Sequence, residues 1–210
     1  MLVVGLTGGV ASGKSLVSQV WNKEGAYIID ADQIAKELVK PNLPAWKEIV
    51  DKFGIEILNE EGSINRKLLA SIIFSNQEKR ELLNRILHPR IKEEIQRRIK
   101  DISFKDPRAI VVIDAPLLIE VGDYREMDRV VLVTSSQEHQ MERLQLRDGL
   151  KKEEAQRIID AQKPLSEKLK LADFIISNEG SIEEVKRKAK EVFKELKVIA
   201  SQKENKNSGG

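Results

Sequence analysis

Residues 5–15, GLTGGVASGKS, follow the short apolar run MLVV and precede the amphipathic stretch LVSQVWNK. Within them Gly8, Gly13, Lys14 and Ser15 match the pattern G-x-x-x-x-G-K-[ST] between a predicted strand and a predicted helix. Glycines let successive backbone N–H groups turn toward phosphate oxygens, and the following helix adds its positive N-terminal end. The stretch therefore predicts a phosphate-binding loop and, around it, an α/β nucleotide-binding fold.

The residue types of this loop fit a nucleotide with a metal ion. Lys14 is expected to reach the β- and γ-phosphates of ATP, and the Ser15 hydroxyl to ligate Mg²⁺. The motif leaves the phosphoryl acceptor open: water, a protein or a small molecule. A GTPase is expected to carry a guanine-reading N/T-K-x-D stretch, and none is present. A D-x-x-G match occurs at residues 51–54, but it ends a helical run and does not follow a strand, so we treat it as a chance match. The expected nucleotide-binding residues of the loop are Gly8, Ala11, Ser12, Gly13, Lys14, Ser15 and Leu16.

Composition narrows the class of protein. The chain has 210 residues, 40% apolar and 33% charged, and its 36 lysines and arginines are nearly matched by 34 acids. A net charge of +2 makes non-specific nucleic-acid binding a poor expectation. Without cysteine there is no disulfide, zinc–thiolate site or cysteine nucleophile. We expect a soluble, cytoplasmic protein, a monomer or weak homo-oligomer, with no membrane or nucleic-acid partner.

Short β-rich apolar runs alternate with longer helical patterns along most of the chain. Runs such as VVI and RVVLV are apolar almost throughout, as in strands covered on both faces of a parallel sheet. Capping boxes are predicted at Ser135 with Glu138 and at Ser181 with Glu184, and the first helix is expected to stop near Gly149. The pattern predicts a doubly wound, five-stranded parallel sheet. The expected strands are Leu2–Leu6, Ala26–Ile29, Ala109–Ile113, Arg129–Val133 and Phe174–Ile176.

Residues 44–103 interrupt this alternation with helical patterns only. Pro89 lies between two of them, where it is expected to end one helix and begin the next. An insertion at this point would follow the carboxyl edge of the sheet, where ligands bind in such folds. The predicted organisation is a nucleotide-binding core of residues 1–43 and 104–200, a helical insertion at 44–103, a shorter helical segment at about 148–170, and a disordered tail 201–210.

A second candidate site follows the second strand. The run AYII ends in Asp30, and Asp32 stands just before the helical pattern QIAKELV. Asp32 has two equally weighted interpretations from position alone. It is either an N-cap of the helix, a role that aspartate fills well, or a base that accepts the proton of an attacking hydroxyl.

Six stretches together resemble the dephospho-coenzyme A kinase family in order and spacing. The resemblance runs from residue 2 to about 196 and is more specific than the phosphate-binding loop alone. It implies a P-loop kinase core in which the insertion 44–103 is a helical, acceptor (CoA)-binding domain and the segment at about 148–170 is a lid. The implied activity is ATP-dependent phosphorylation of the ribose 3′-hydroxyl of dephospho-CoA, the last step of CoA biosynthesis. The stretches are GLTGGVASGKS, DADQIAKELV, LHPRI, DAPLLIE, RLQLRDG and QKPLSEKLKLADFIISNEGS.

The resemblance assigns roles to residues outside the loop. Asp32 matches the family's catalytic aspartate, which favours the base over the cap. Arg143 and Arg147 lie on one face of a predicted helix. The resemblance makes Arg147 a lid-base arginine that stabilises the transferring phosphates, and the alternative is that both arginines are solvated. Asp114 ends the third strand, where P-loop proteins often carry a carboxylate that supports Mg²⁺ through water.

The remaining assignments concern the adenine and the acceptor. Asn178 and Gly180, in the turn SNEGS, resemble residues that line the adenine in related kinases, and a plain strand-to-helix turn is the alternative. His88 and Pro89, in LHPRI, are assigned to the acceptor site, although a lone histidine is more often a cap or a core residue. Arg66 is a candidate for the substrate's phosphates, against the alternative of a solvated helix face.

Two other functions fit the loop. One is a kinase of another small molecule or nucleoside on the same core. The other is a regulatory P-loop ATPase or GTPase switch that binds a protein and turns over slowly. The missing guanine motif and the presence of Asp32 count against the switch.

Overall fold

The computed structural model describes residues 1–208, with side chains through Lys203. These residues form two compact units: Met1–Ile29 together with the chain from Asp101 onward, and Asp30–Lys100. Helix α2 thus belongs to the second unit, which begins at Asp30 and not at residue 44, the predicted start of the insertion. The helices are α1 Lys14–Lys23, α2 Ala31–Leu38, α3 Pro44–Phe53, α4 Arg66–Ser75, α5 Gln77–Lys105, α6 Gln137–Asp148, α7 Lys152–Asp160, α8 Leu165–Leu169 and α9 Ile182–Ser208.

A five-stranded sheet in the order β2-β3-β1-β4-β5 organises the first unit. β1 pairs in parallel with β3 and with β4, and β4 pairs in parallel with β5. The predicted doubly wound α/β fold is confirmed, and each strand lies within two residues of its predicted bounds. The strands are β1 Leu2–Gly8, β2 Tyr27–Asp30, β3 Ile110–Asp114, β4 Arg129–Thr134 and β5 Phe174–Ser177.

The core of the first unit lies between the sheet and helices α1 and α9. Every residue of β3 is buried, as a strand covered on both faces requires. Trp21 of α1 is fully buried, stacks on Phe193 at 6.0 Å between ring centroids and donates its indole N–H to the carbonyl of Ala189 at 2.8 Å. These contacts join α1, which begins at the phosphate-binding loop, to α9, so the loop is carried by a rigid element.

The second unit has a core of its own and no β-strand among residues 30–100 apart from the last residue of β2. Helices α3, α4 and α5 bury one apolar cluster, and the indole of Trp46 donates to the carbonyl of Gly62 at 3.0 Å. The helical character predicted for residues 44–103 is confirmed. The buried members of the cluster are Ile49, Phe53, Ile57, Ile64, Leu69, Leu83 and Ile86.

Pro89 neither ends nor begins a helix, and that prediction is wrong. It lies inside the continuous 29-residue helix α5. A proline in a helix interior removes one hydrogen bond and costs about 3 kcal/mol. The burial of Leu83 and Ile86 against the cluster on the same helix offsets this cost at about 1.5–3 kcal/mol per side chain.

Helix ends differ from prediction in two more places. The N-cap of α6 is Ser136, not Ser135, and its hydroxyl accepts from the N–H of His139 at 3.3 Å. The predicted disordered tail is helical through residue 208, because α9 continues to that point, and residues 209 and 210 lie outside the described part of the chain. The Ser181–Glu184 capping box and the stop at Gly149, whose φ is 66°, are confirmed. No helix among the described residues combines the length and apolar character needed to cross a bilayer.

Candidate active site

The phosphate-binding loop lies between the end of β1 at Gly8 and the start of α1 at Lys14. Two of its residues have positive φ, Ala11 at 54° and Gly13 at 90°. At Gly13 a side chain would be strained, and its Cβ would also collide with the amide of Asn178. The loop closes with a hydrogen bond from the N–H of Ser12 to the carbonyl of Gly9 at 3.0 Å. This backbone directs the free N–H end of α1 toward the site, the arrangement that binds phosphate.

Side chains that follow β4 and β5 brace the loop. The amide of Asn178, 8% exposed, donates to the carbonyl of Ser12 at 2.8 Å. Arg143 of α6 donates from Nη1 to the carbonyl of Ala11 at 3.1 Å and to the hydroxyl of Ser135 at 3.2 Å. Its Nη2 reaches the carbonyl of Asn178 at 3.4 Å. The bonds to Ala11 and Ser12 engage backbone carbonyls of the loop and none of its N–H groups.

Two glutamines that the sequence did not single out also contact the loop. Gln162 accepts from the N–H of Val10 at 2.9 Å, and the amide of Gln140 lies against Gly9, where a Cβ would meet it at 2.5 Å. Both line a cavity of about 360 Å³ beside the loop, together with Lys163 and Lys168. No local sequence pattern marks either glutamine, because each acts through a contact that is distant along the chain.

Lys14 forms an ion pair with Asp114, which ends β3 and is 5% exposed. The pair joins the start of α1 to the end of β3, the strand that lies beside β1 in the sheet. The structure therefore brings together three of the predicted site elements, the loop lysine, the strand-end aspartate and the loop itself. The hydroxyl of Ser12 is buried against Gly8 without a hydrogen-bond partner in the described part of the chain.

Arg147 and Arg143 share α6 but have different surroundings. The Arg147 guanidinium makes two hydrogen bonds to the neighbouring Asp148, at 2.8 and 2.7 Å, and its side chain is 63% exposed. These bonds raise the pKa of Arg147 and lower that of the Asp148 carboxyl. In this structure Arg143, not Arg147, contacts the phosphate-binding loop.

Asp32 lies in the first turn of α2, in the second unit, and is exposed. The N-cap of this helix is Asp30, whose carboxylate accepts from the N–H of Gln33 at 2.9 Å. The capping interpretation of Asp32 is therefore wrong. A carboxylate in the first turn of a helix is stabilised by the positive end of the helix dipole, which suits an ionised base.

An ion-pair network fixes the rest of α2. Arg98 of α5 binds Glu37 at 2.5 Å and Glu94 at 2.8 Å, and Gln33 donates to Glu37 at 3.2 Å. Hydrogen bonds from Arg97 and then Arg98 lower the pKa of Glu94 from its ordinary 4.5 to about 2, and the bond from Arg98 lowers that of Glu37. The helix that carries Asp32 is thus held to α5 by charged side chains.

The predicted acceptor residues lie apart within the second unit. His88 and Pro89 are exposed residues in the middle of α5. Arg66 is the first residue of α4 and lines a cavity of about 110 Å³ with Lys36 and Lys40. In the first unit, Gly180 lies in the turn before α9, against the carboxylate of Glu184.

The donors for a metal ion are few. Among the described residues no group of three or more histidine, aspartate or glutamate side chains converges as a metal site. Ser15, at the start of α1, and Asp114 supply one hydroxyl and one carboxylate, both oxygen donors of the kind that Mg²⁺ prefers. This set fits an ion that is held mainly by nucleotide phosphates, as in phosphate-binding loops.

Comparisons with known proteins agree with this arrangement. A family model described as dephospho-CoA kinase matches residues 2–184. A dephospho-CoA kinase of Bacillus thuringiensis subsp. konkukian is 43% identical over 198 residues, covering 94% of this chain and 98% of that protein. A crystal structure from Thermus thermophilus has a TM-score of 0.78 at 29% identity over 93% of this chain and 97% of that one. A dephospho-CoA kinase from Campylobacter jejuni has a TM-score of 0.63 at 28% identity, over 92% and 96% of the two chains.

Proposed function

The chain belongs to the dephospho-CoA kinase family, and we propose that it transfers the γ-phosphoryl group of ATP to the ribose 3′-hydroxyl of dephospho-CoA, giving ADP and CoA. The observation that carries this proposal is the braced phosphate-binding loop, whose lysine meets a buried aspartate from the neighbouring strand. The loop supports the donor half of the reaction, and the family supports the choice of acceptor.

In the proposed mechanism the loop N–H groups and Lys14 hold the phosphates of ATP, while Asp32 accepts the proton of the 3′-hydroxyl as it attacks the γ-phosphorus. The P–O bond to ADP then breaks, and the phosphoryl group becomes a monoester on the ribose. The amide of Asn178 and the guanidinium of Arg143 keep the loop in its phosphate-binding conformation. Lid closure over residues 148–170 would exclude water, so that ATP is not hydrolysed.

Arg147 is proposed to stabilise the transferring phosphoryl group, and to do so it must leave Asp148. Breaking the Arg147–Asp148 pair costs little free energy, because an exposed ion pair contributes only about 0.2–1 kcal/mol to stability. A charge-assisted bond to phosphate is stronger than this pair, since the lid excludes water around it. Asp148 would then act as a resting partner that keeps the guanidinium near the site.

Magnesium would be held by the Ser15 hydroxyl, by the nucleotide phosphates and, through water, by Asp114. Bound there, it would neutralise charge on the β- and γ-phosphates. We also propose that the enzyme works in the cytoplasm, which the cysteine-free composition supports, and that it is a monomer or weak homo-oligomer.

The deciding experiment measures ADP formation and product mass with dephospho-CoA, adenosine, a nucleoside monophosphate or water as the acceptor. We expect CoA from dephospho-CoA at a kcat/KM far above that of the other three. Equal or better turnover of the monophosphate would indicate a different small-molecule kinase on the same core. Slow hydrolysis with no preferred acceptor would indicate a regulatory P-loop switch.

A further inference from the structure

A small cavity of about 110 Å³ in the second unit is lined by three cationic side chains and no carboxylate. Lys36 and Lys40 contribute from the end of α2 and the residues after it, and Arg66 contributes from the start of α4. Its volume is that of between three and four water molecules in the liquid. The rest of the lining is apolar or neutral: Val39, Pro41, Ser63 and Ile64.

Two arginines elsewhere in this unit are neutralised by carboxylates. Arg90 pairs with Glu48 at 2.7 Å, and Arg98 pairs with Glu37 at 2.5 Å. The cavity differs, since three like charges surround one space without an acid in its wall. Like charges gathered in this way repel one another, and an anion in the cavity relieves that repulsion.

Helix stability does not account for the arrangement. A lysine near the C-terminal end of a helix is favoured by the helix dipole, which suits Lys36. Arg66 stands at the opposite end of its own helix, in a first turn that contains no acidic residue. A cation there is disfavoured by the dipole of α4. Its position is better explained by a ligand with negative charge.

We propose that Lys36, Lys40 and Arg66 bind the diphosphate of the acceptor. This inference rests on the proposed function, since dephospho-CoA carries a diphosphate diester between its adenosine and its pantetheine arm. The two phosphates carry two negative charges against the three positive charges of the cavity. The planar guanidinium of Arg66 binds one phosphate with two parallel hydrogen bonds, and the two lysines supply point charges.

The site would give specificity for the acceptor and none for ATP. It holds the diphosphate in the unit that also carries Asp32, so binding energy from a non-reacting part of the substrate orients the ribose hydroxyl. An acceptor without a diphosphate would lose that orientation. The same cations also attract the anionic substrate over longer distances, an effect that salt screens.

The test compares Arg66→Gln, Lys40→Gln and the triple variant Lys36→Gln/Lys40→Gln/Arg66→Gln with Lys67→Gln. Lys67 is the exposed neighbour of Arg66 and does not line the cavity, so its variant loses the same charge outside the proposed site. We expect Arg66→Gln to raise the KM for dephospho-CoA by about tenfold, and the triple variant by more. The KM for ATP should stay within twofold in each variant, and Lys67→Gln should match the wild type for both substrates.

A KM for dephospho-CoA within twofold of the wild type in the triple variant would overturn the proposal, as would an equal rise in Lys67→Gln. The wild-type KM for dephospho-CoA should also rise with sodium chloride more steeply than that of the triple variant. A wild type that makes no CoA would refute the proposed function instead. The subsite is then decided by titrating inorganic pyrophosphate into protein saturated with magnesium and a non-hydrolysable ATP analogue. Binding by the wild type and not by the triple variant supports the site, and equal binding or none overturns it.

Discussion

The ion pair between Lys168 and Glu120 gives the sharpest test of how the first unit is stabilised. Lys168 of α8 is 2% exposed, and its Nζ lies 2.6 Å from a carboxylate oxygen of Glu120, whose side chain is 16% exposed. Among the described residues neither charged end has a hydrogen-bond partner of good geometry. Each charge therefore depends on the other for compensation of its lost hydration.

Replacing one residue of the pair should lower the free energy of unfolding far more than replacing both. We expect Lys168→Met to lower the free energy of unfolding by about 3–5 kcal/mol, because it leaves the Glu120 carboxylate buried without its counter-ion. Glu120→Leu should cost a similar amount for the same reason. The double variant should lie near the wild type, since an apolar pair of similar volume has no desolvation penalty. A loss of this size is a large part of the 5–15 kcal/mol typical of a folded protein.

The assay is urea unfolding of the first unit followed by tryptophan fluorescence. The chain has two tryptophans, so a Trp46→Phe background leaves Trp21, in the core of the first unit, as the reporter. Lys186→Met is the matched control, because it breaks an exposed pair with Glu183 and should cost less than about 1 kcal/mol. Single variants that each cost under about 1 kcal/mol, or a double variant that shows their full sum, would refute the reasoning.

Three other changes test the candidate site and its supports. Asp32→Asn should lower kcat by about 10²- to 10⁴-fold in steady-state assays, while the ATP affinity from calorimetric titration stays within twofold. A near-normal kcat would show that Asp32 is not the catalytic base. Gly13→Ala should lose ATP affinity in the same titration and cost about 1–3 kcal/mol in urea unfolding, because φ is 90° there and a Cβ meets Asn178; unchanged affinity and stability would contradict this. Glu94 has a folded pKa of about 2 against an ordinary 4.5, so its contribution to stability is present above pH 4.5 and is lost as the pH falls toward 2. Glu94→Gln should flatten the decline of Tm with falling pH in that window, as measured by circular dichroism, and an unchanged slope would count against the ion-pair network.

The strands and the phosphate-binding loop could be predicted from the sequence because their signals are local. Continuous apolar runs mark buried parallel strands, and the glycine-lysine-serine spacing marks the loop between β1 and α1. Helix boundaries were less predictable where local and tertiary preferences compete. Pro89 favours a break in the helix, yet α5 continues through it, and the buried side chains of Leu83 and Ile86 fix the part of the helix that precedes the proline. Ser135 and Ser136 are equally good caps by residue type, so only the structure distinguishes them.

The supports of the site could not be predicted residue by residue, because they join positions far apart in the chain. The bond from Asn178 to Ser12 spans 166 residues, and the bond from Arg143 to Ala11 spans 132. The strand order nevertheless limits which residues can contact the loop. Since β4 lies between β1 and β5, residues just beyond the carboxyl ends of β4 and β5 are placed beside the loop that follows β1. Ser135 and Asn178 occupy these positions, so the sheet order makes both of them candidates for contact with the loop, and the structure shows that Asn178 makes that contact.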